Sequence, residues 1–220
     1  MIIGLVGFKS SGKDTAANIL VEQHGFQSIA FADSIKDCLS SIFCWDREMM
    51  QGHTPESREW REQVDPWWVN KLGIPKFSPR WAMTHFGTNL MRDKFDQKIW
   101  IHNVERRLEQ SKTRNLVLSD CRFPNEIEVI RNQSGKIWRI NRGVDPIWMN
   151  VAKTAAKPLR THDVTWNQSV GSARAMLAQM EIHESEWAWV NEPLDFNAMN
   201  DSTFENLENV LNDGLEVCFA

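Results

Sequence analysis

Residues 2–15 read IIGLVGFKSSGKDT, an apolar run followed by a segment rich in glycine and serine. The run from Ile2 to Val6 is apolar apart from one glycine, which is typical of a strand buried in a parallel sheet. It leads into a glycine-rich turn whose N–H groups can point inward, and the next helix adds positive potential at its N-terminus. Lys13 is placed to reach a β or γ phosphate. The pattern predicts a phosphate-binding loop formed by Gly7, Lys9, Ser10, Ser11, Gly12, Lys13, Asp14 and Thr15.

The loop departs from the usual motif at one position. Ser or Thr normally follows the lysine and holds Mg2+, whereas this chain has Asp14 there and Thr15 next. One role open to Asp14 is to hold the ion through water, because Mg2+ keeps several waters when proteins bind it. The other is that of a first-turn carboxylate favoured by the helix dipole. The loop predicts phosphate binding under either role.

The composition predicts a soluble globular protein. The chain has 220 residues, of which 42% are hydrophobic, and this suits a substantial core and excludes wholesale disorder. No apolar run reaches the length of a bilayer span and no secretory signal is apparent, so we expect a cytoplasmic protein without membrane partners. The net charge of −4 offers no basic field for nucleic acid. The four cysteines are scattered, which favours reduced thiols over a zinc cluster.

Strands and helices alternate along much of the chain. Apolar runs predict strands at residues 2–6, 27–32, 116–120, 136–141 and 195–199. Helical patterns cover residues 14–23, 56–64, 97–110 and 203–211, and further helices begin with a cap at Asp33 or Ser34, at Ser78-Pro79 with a break at Gly87-Thr88, and at Pro124. The alternation predicts an α/β fold with helices packed on a parallel sheet. Ligands are then expected at the carboxyl ends of the strands.

Two stretches depart from this alternation. Residues 38–79 include several prolines and read as an excursion from the sheet. Residues 143–181 are less regular and carry basic side chains, which fits a mobile flap better than a core. We expect one domain over residues 1–220 that contains both stretches.

Charged side chains at the predicted strand ends indicate which reaction the phosphate-binding loop serves. Asp120 ends the third strand, where phosphate-loop enzymes hold Mg2+ or its waters, and Arg122 lies two residues further. Phosphoryl transfer to another phosphate needs dense positive charge, which bidentate arginines provide. It needs no general base, because a nucleotide phosphate oxygen is already an anion. Other candidates, each of which is alternatively a solvated surface residue, are Arg58, Arg61, Arg80, Arg92, Arg142 and Arg160.

These motifs together resemble those of the bacteriophage deoxynucleoside monophosphate kinases, within the P-loop nucleoside monophosphate kinase group, and the resemblance covers most of the chain. GFKSSGKDT is similar to the donor loop, where the family also has Asp and Thr after the lysine. FADSIKD at residues 31–37 and the arginine-led segment at 80–100 resemble acceptor-binding elements. SDCRFPNE at 119–126 resembles the family's Asp-x-Arg-x-x-x-Glu element, and HESE at 183–186 its His-x-Ser/Thr-Glu element. Asn200-Asp201 falls at its adenine-side turn.

The resemblance implies a role for each matched residue. Lys13, Asp120, Arg122 and Arg142 would act on the transferred phosphoryl group. The loop residues would bind ATP together with Asn200 and Asp201, and Asp14 and Asp120 would hold Mg2+ through water. The acceptor nucleotide would be bound by Lys36, Arg80, Gly87, Thr88, Arg92, Trp100, Asp120, Arg122, Glu126, His183 and Glu186.

The resemblance also implies a fold and an activity. The fold would be a three-layer αβα P-loop NTPase with an acceptor-binding excursion at 38–79 and a lid-like insertion at 143–181. The activity would be transfer of the γ-phosphoryl group of ATP to a deoxynucleoside monophosphate in the cytoplasm, or in the host cytoplasm for a phage protein. Its partners would be small-molecule nucleotides, and a homodimer is left open. The alternatives are a kinase of the dephospho-coenzyme A kinase type and a nucleotide-binding switch without kinase activity.

Overall fold

The computed structural model describes residues 1–113 and 115–219, and within them it contains a five-stranded sheet. The strands are β1 (Ile2–Val6), β2 (Gln27–Ser28), β3 (Leu116–Leu118), β4 (Lys136–Asn141) and β5 (Phe196–Met199). They lie in the order β2-β3-β1-β4-β5, and every neighbouring pair is parallel. In the central register, Gly4 of β1 is opposite Leu118 of β3 and Ile137 of β4. This confirms the predicted α/β class with a parallel sheet.

Helices lie in the connections between the strands. They are α1 (Lys13–His24), α2 (Asp33–Phe43), α3 (Arg47–Gln51), α4 (Pro55–Glu62), α5 (Pro66–Leu72), α6 (Pro79–Thr84), α7 (Ile99–Gln110), α8 (Pro124–Asn132), α9 (Met149–Ala155), α10 (Val164–Gln179) and α11 (Phe204–Phe219). A π-helix follows α6 at His85–Phe95, and a 3-10 turn spans Glu184–Glu186. Over the described ranges, no helix combines the length and the apolar character that a membrane span needs.

The chain divides into two compact units. The first comprises Met1–Ala30 and Gln110–Ala220 and contains the whole sheet with α1 and α8 to α11. The second comprises Phe31–Glu109 and contains α2 to α6, the π-helix and nearly all of α7. The single domain predicted over residues 1–220, with its insertions at 38–79 and 143–181, stays a prediction.

Helices cover both faces of the sheet in the first unit. On one face, Ile3 and Leu5 share a buried cluster with residues of α1 and α11, among them Leu20 and Leu211. Gly4 points to the opposite face, because successive residues of a strand alternate. A Cβ atom at Gly4 would lie 3.0 Å from Ile137 Cδ1 and even closer to Ile130 of α8, so the missing side chain lets α8 approach. This arrangement confirms the three-layer fold.

The segment 143–181 is more regular than predicted. Helices α9 and α10 pack on each other and bury Ala152, Ala155, Ala173 and Leu177 together with Trp187. The prediction of an irregular flap is therefore wrong for the structure of this segment. Small alanine side chains allow the two helices to pack closely, and they give a weaker apolar pattern than leucine or isoleucine would. A lid-like role for the segment stays a prediction.

The second unit has an aromatic core of its own. The ring of Phe43 lies 4.8 Å from that of Trp45 and 5.0 Å from those of Trp68 and Phe77. Such pairs add a stabilisation beyond simple area burial.

The predicted start of α6 is confirmed, since Ser78 Oγ accepts a hydrogen bond from the backbone N–H of Trp81 at 3.2 Å.

Several predicted boundaries need correction. Ala32, rather than Asp33 or Ser34, is at the N-cap position of α2, and its side chain forms no capping hydrogen bond. The carboxylate of Asp33 forms ion pairs with Arg47 and Arg107 at 3.5 and 3.2 Å. Gly87-Thr88 does not interrupt the helical path, since the π-helix runs through both residues. The strands β2 and β3 are shorter than predicted, whereas α11 continues beyond residue 211 to Phe219.

Candidate active site

The phosphate loop joins β1 to α1, as predicted. Its path depends on two glycines with positive φ, Gly7 at 150° and Gly12 at 98°. A Cβ atom at Gly7 would collide with the backbone oxygen of Ile140 in β4, and one at Gly12 would collide with the side-chain amide of Asn200. Any other residue at either position would therefore displace its neighbour as well as strain the backbone. The strand-loop-helix context that the motif requires is present.

Lys13 lies over the loop. Its Nζ atom donates hydrogen bonds to the backbone oxygens of Gly7 and Phe8, at 2.7 and 3.0 Å. Burial lowers the pKa of the Lys13 ammonium group below its ordinary value, and the nearby charge of Arg122 lowers it further. Glu186 and Asp14 act in the opposite direction. Lys13 is thus surrounded by charged groups of the loop and of the strand ends.

Arg122 is held next to the loop by a carboxylate. Its Nη1 atom donates to Glu186 Oε1 at 3.1 Å and to Ser185 Oγ at 3.3 Å. The other oxygen of Glu186, Oε2, accepts from the backbone N–H of Lys9 at 3.0 Å. His183 stabilises this arrangement indirectly, because its Nδ1 atom accepts from the backbone N–H of Ser185 at the start of the 3-10 turn. The structure therefore brings the predicted residues Lys9, Arg122, His183 and Glu186 into one hydrogen-bonded network.

Glu126 supports the backbone beneath Arg122. It is 4% exposed, and its Oε2 atom accepts hydrogen bonds from the backbone N–H groups of Arg122 and Phe123, at 2.8 and 3.1 Å. These contacts cap the N-terminus of α8, where a carboxylate is favourable. This contact with the backbone was not predicted. A contact of Glu126 with the acceptor nucleotide stays a prediction.

Asn200 and Asp201 follow β5 and touch both the loop and the end of β4. The Asn200 side-chain amide donates to the backbone oxygen of Ser11 at 2.9 Å, and its backbone N–H donates to Asn141 at 2.7 Å. The Asp201 carboxylate accepts from the backbone N–H of Gly143. Arg142, which lies between Asn141 and Gly143, is exposed directly after β4. The predicted adenine-side turn is thus connected to the loop, and adenine binding by it stays a prediction.

An aromatic cluster beside the loop was missed from the sequence. The ring of Phe8 lies 5.1 Å from the rings of Trp148 and Trp189, and the Arg139 guanidinium lies 5.4 Å above Phe8 and 5.5 Å above Trp189. Arg139 also forms an ion pair with Asp145. These residues come from separate parts of the chain, so no local motif joins them. The one available signal is the polar Arg139 among the apolar residues of β4.

The predicted acceptor residues from positions 36 to 100 lie in the second unit. Trp100 is buried, and its Nε1 atom donates to the backbone oxygen of Gly87 at 2.9 Å, so these two are brought together. Arg80 forms an ion pair with Glu62 at 2.9 Å, and Lys36 donates to Gln51 at 2.6 Å. Thr88 is exposed and Arg92 is half-buried on the π-helix. Their binding of an acceptor stays a prediction.

The two carboxylates predicted to hold Mg2+ are fully or partly exposed, and their binding of Mg2+ stays a prediction. Asp14 is exposed in the first turn of α1, and Asp120 is half-buried two residues after β3. The charge of Asp14 raises the pKa of Lys13. Burial raises the pKa of the Cys121 thiol, the charge of Asp120 raises it further, and the charge of Lys13 lowers it. Within residues 1–113 and 115–219, no group of three or more His, Cys, Asp or Glu side chains forms a complete metal cage. One or two carboxylates and retained waters are the set that Mg2+ accepts.

The Ser11 hydroxyl is a further polar group without a role in the loop itself. It is buried, and its Oγ atom has no hydrogen-bond partner among the described residues. Buried hydroxyls normally find a partner, because an unpaired one is destabilising. The loop therefore contains a polar atom that a bound group could satisfy.

Comparison with known proteins confirms the resemblance. A protein of Acanthamoeba polyphaga mimivirus, named provisionally as a deoxynucleotide monophosphate kinase, is 28% identical over 176 residues, which are 74% of this chain and 86% of that protein. The deoxynucleoside-5′-monophosphate kinase of Escherichia phage T5 is 24% identical over 186 residues, 60% of this chain and 72% of that protein. No family model matches the chain.

Solved structures give only a weak likeness. A dephospho-CoA kinase from Campylobacter jejuni has a TM-score of 0.38 at 14% identity, with 98% of this chain and 96% of that chain covered. The protein TT1252 from Thermus thermophilus has a TM-score of 0.41 at 16% identity with the same coverage. The fold is established by the sheet order and the phosphate loop of this chain itself.

Proposed function

We propose that this chain, a relative of the viral deoxynucleoside monophosphate kinases, transfers the γ-phosphoryl group of ATP to a deoxynucleoside 5′-monophosphate and forms ADP and the diphosphate. One observation carries the proposal beyond the sequence relationship. Arg122, two residues past Asp120 and four past the end of β3, is held against the phosphate loop by Glu186. A loop that binds one phosphate with a fixed arginine beside it suits a reaction between two phosphates.

The loop supplies the donor half of the reaction. Its N–H groups and the N-terminus of α1 would bind the β-phosphate, and Lys13 would exchange its bonds to Gly7 and Phe8 for phosphate oxygens. Asn200 would keep the loop in shape through its bond to Ser11. When Mg2+ is bound through Asp14 and Asp120, it would neutralise charge on the phosphates.

The acceptor half begins with Arg122. An oxygen of the acceptor monophosphate forms a bond to the γ-phosphorus as the bond from the γ-phosphorus to the β–γ bridging oxygen breaks, and the electron pair leaves with ADP. The guanidinium of Arg122 would hold the acceptor phosphate in line and stabilise the charge on the equatorial oxygens. The exposed Arg142 would approach the same group. Binding of the acceptor by the residues that the resemblance names in the second unit, from Lys36 to Trp100, stays a prediction.

The cellular setting follows from the proposed activity. ATP and the deoxynucleotides are small-molecule partners, and the reaction belongs in the cytoplasm, or in the host cytoplasm for a phage protein. Neither nucleic acid nor a membrane is needed, and a homodimer remains open.

A substrate panel tests the proposal. Purified protein is incubated with ATP, Mg2+ and each deoxynucleoside monophosphate in turn, with dephospho-coenzyme A in parallel, and ADP is measured. We expect ADP only with an accepted nucleotide, and none with the Lys13→Ala variant, whose fold is checked by circular dichroism. ADP formed at the same rate without any acceptor would refute the proposal in favour of a hydrolysing switch. Turnover with dephospho-coenzyme A alone would favour that kinase instead.

A further inference from the structure

The carboxylate of Glu186 accepts hydrogen bonds from two groups of the site that could bind an anion. One carboxylate oxygen accepts the backbone N–H of Lys9 in the phosphate loop, at 3.0 Å, and the other accepts the guanidinium of Arg122, at 3.1 Å. Both donors are groups that bind phosphate oxygens in proteins. The carboxylate side chain is 25% exposed, so it lies at the mouth of the site within reach of solvent and ligands.

The carboxylate belongs to a capped turn. The 3-10 turn Glu184–Glu186 is capped by His183, whose Nδ1 atom accepts the N–H of Ser185 at 3.2 Å. Directly after it, Trp187, Ala188 and Trp189 are buried. The turn is thus capped at its start and followed by a buried segment, which sets the position of the Glu186 backbone.

We propose that Glu186 is a positioning residue that holds Arg122 against the phosphate loop and yields its place to the phosphates of the nucleotide. This inference rests on the proposed function and deepens it. A triphosphate that binds the loop brings more negative charge than one carboxylate, and it competes for the N–H of Lys9. Glu186 then retains Arg122 alone, so that the arginine stays in place for the acceptor. Binding at the donor loop and placement of the acceptor arginine are thereby coupled through a single side chain.

An ordinary surface ion pair would behave differently. A partly exposed pair contributes little to stability, and its loss affects an anion bound elsewhere only through the removed charge, which solvent and salt screen. A carboxylate that occupies the anion site opposes the binding of another anion, both by competition and by repulsion. The two cases therefore differ in the affinity of the protein for a phosphate chain.

Tripolyphosphate binding provides the test, because it requires the loop and no kinase reaction. Its dissociation constant is measured by calorimetry for the wild-type protein, for Glu186→Gln and for the control Glu184→Gln, which removes an equal charge from an exposed residue of the same turn. We expect Glu186→Gln to bind about fivefold more tightly, within the usual range of coupling between sites, and the control to change by less than about twofold. Unchanged or weaker binding by Glu186→Gln would overturn the inference, as would a complete lack of binding by all three proteins.

Kinetics with an accepted nucleotide separate positioning from a structural role. Glu186→Gln should lower the KM for ATP and lower kcat as well, because the loop is more accessible while Arg122 is no longer oriented. The variant Glu186→Asp keeps the charge but is one methylene shorter, so it should lower kcat without tightening tripolyphosphate binding. A rise in the KM for ATP of Glu186→Gln would contradict the inference. Because tripolyphosphate binding is independent of turnover, failure of the kinase assay and failure of this inference are distinguishable.

Discussion

Replacing Arg122 by alanine should damage the use of the acceptor while leaving the fold nearly unchanged. The guanidinium side chain is 44% exposed and pairs with Glu186 at 3.1 Å. A pair of this exposure contributes at most about 1 kcal/mol, so the unfolding temperature should fall by only about 2–4 °C for a chain of this size.

The expected loss of activity is much larger. A hydrogen bond to a charged group is worth about 1.5–3 kcal/mol, and a bidentate arginine makes two of them to a phosphate. A loss of about 3 kcal/mol of transition-state stabilisation corresponds to roughly a hundredfold decrease in kcat/KM for the acceptor. The Glu186 carboxylate, left without its partner beside Lys9, adds repulsion toward the donor phosphates.

The assay follows ADP production at saturating ATP while the deoxynucleoside monophosphate is varied. Arg106→Ala is the matched control, because Arg106 is an exposed arginine paired with a glutamate, Glu109, at 3.4 Å on the surface of α7. The control should keep wild-type kinetics within about twofold, as surface substitutions normally do. If Arg122→Ala had the same kcat/KM as the control with every acceptor, Arg122 would have no part in acceptor binding.

Two further predictions concern the loop. Because the pKa of Lys13 is lowered, its ammonium group should lose its charge at a lower pH than an ordinary lysine does. The affinity for tripolyphosphate should therefore fall as the pH rises toward that pKa. Lys13→Arg should move this fall to higher pH, and an unchanged pH profile of the variant would show that another group titrates. Gly12→Ala should destabilise the protein by about 1–3 kcal/mol in a denaturant titration, because it strains a residue with φ of 98° and drives a methyl group onto Asn200. The control Gly171→Ala, in open space on α10, should be neutral or stabilising by about 0.5–1 kcal/mol, and equal effects of the two substitutions would contradict the steric argument.

The parts of the site that sequence predicts are those built from neighbouring residues. The glycine spacing of the loop, the strand before it and the helix after it are all local, so the motif contains the whole structural unit. The strand before Asp120 and Arg122 was predicted for the same reason, although β3 ends at Leu118, two residues before Asp120. The contact of Glu186 with Lys9 spans 177 residues, and only the family resemblance pointed to the HESE segment at all.

The errors have a common physical origin in contacts that sequence patterns do not show. Asp33 reads as a helix cap, yet it is the first residue of α2, and its carboxylate pairs with Arg47 and Arg107. Gly87 reads as a break, yet it lies inside the π-helix, and a Cβ atom there would come within 2.9 Å of Ile35. Both residues lie against tertiary neighbours that the local pattern does not show.

The phosphate loop depends on distant elements as much as on its own glycines. Glycine spacing permits the turn, but Ile140 of β4 lies where the Gly7 side chain would be, and Asn200 after β5 binds Ser11. Glu186 contacts Lys9 from a third direction, and Phe8 is enclosed by Trp148 and Trp189. A loop fixed from all these sides loses little entropy when phosphate binds, because its N–H groups are already oriented. The sheet order explains how this is possible, since β4 lies beside β1 and β5 beside β4, so that their carboxyl ends meet the loop at one edge.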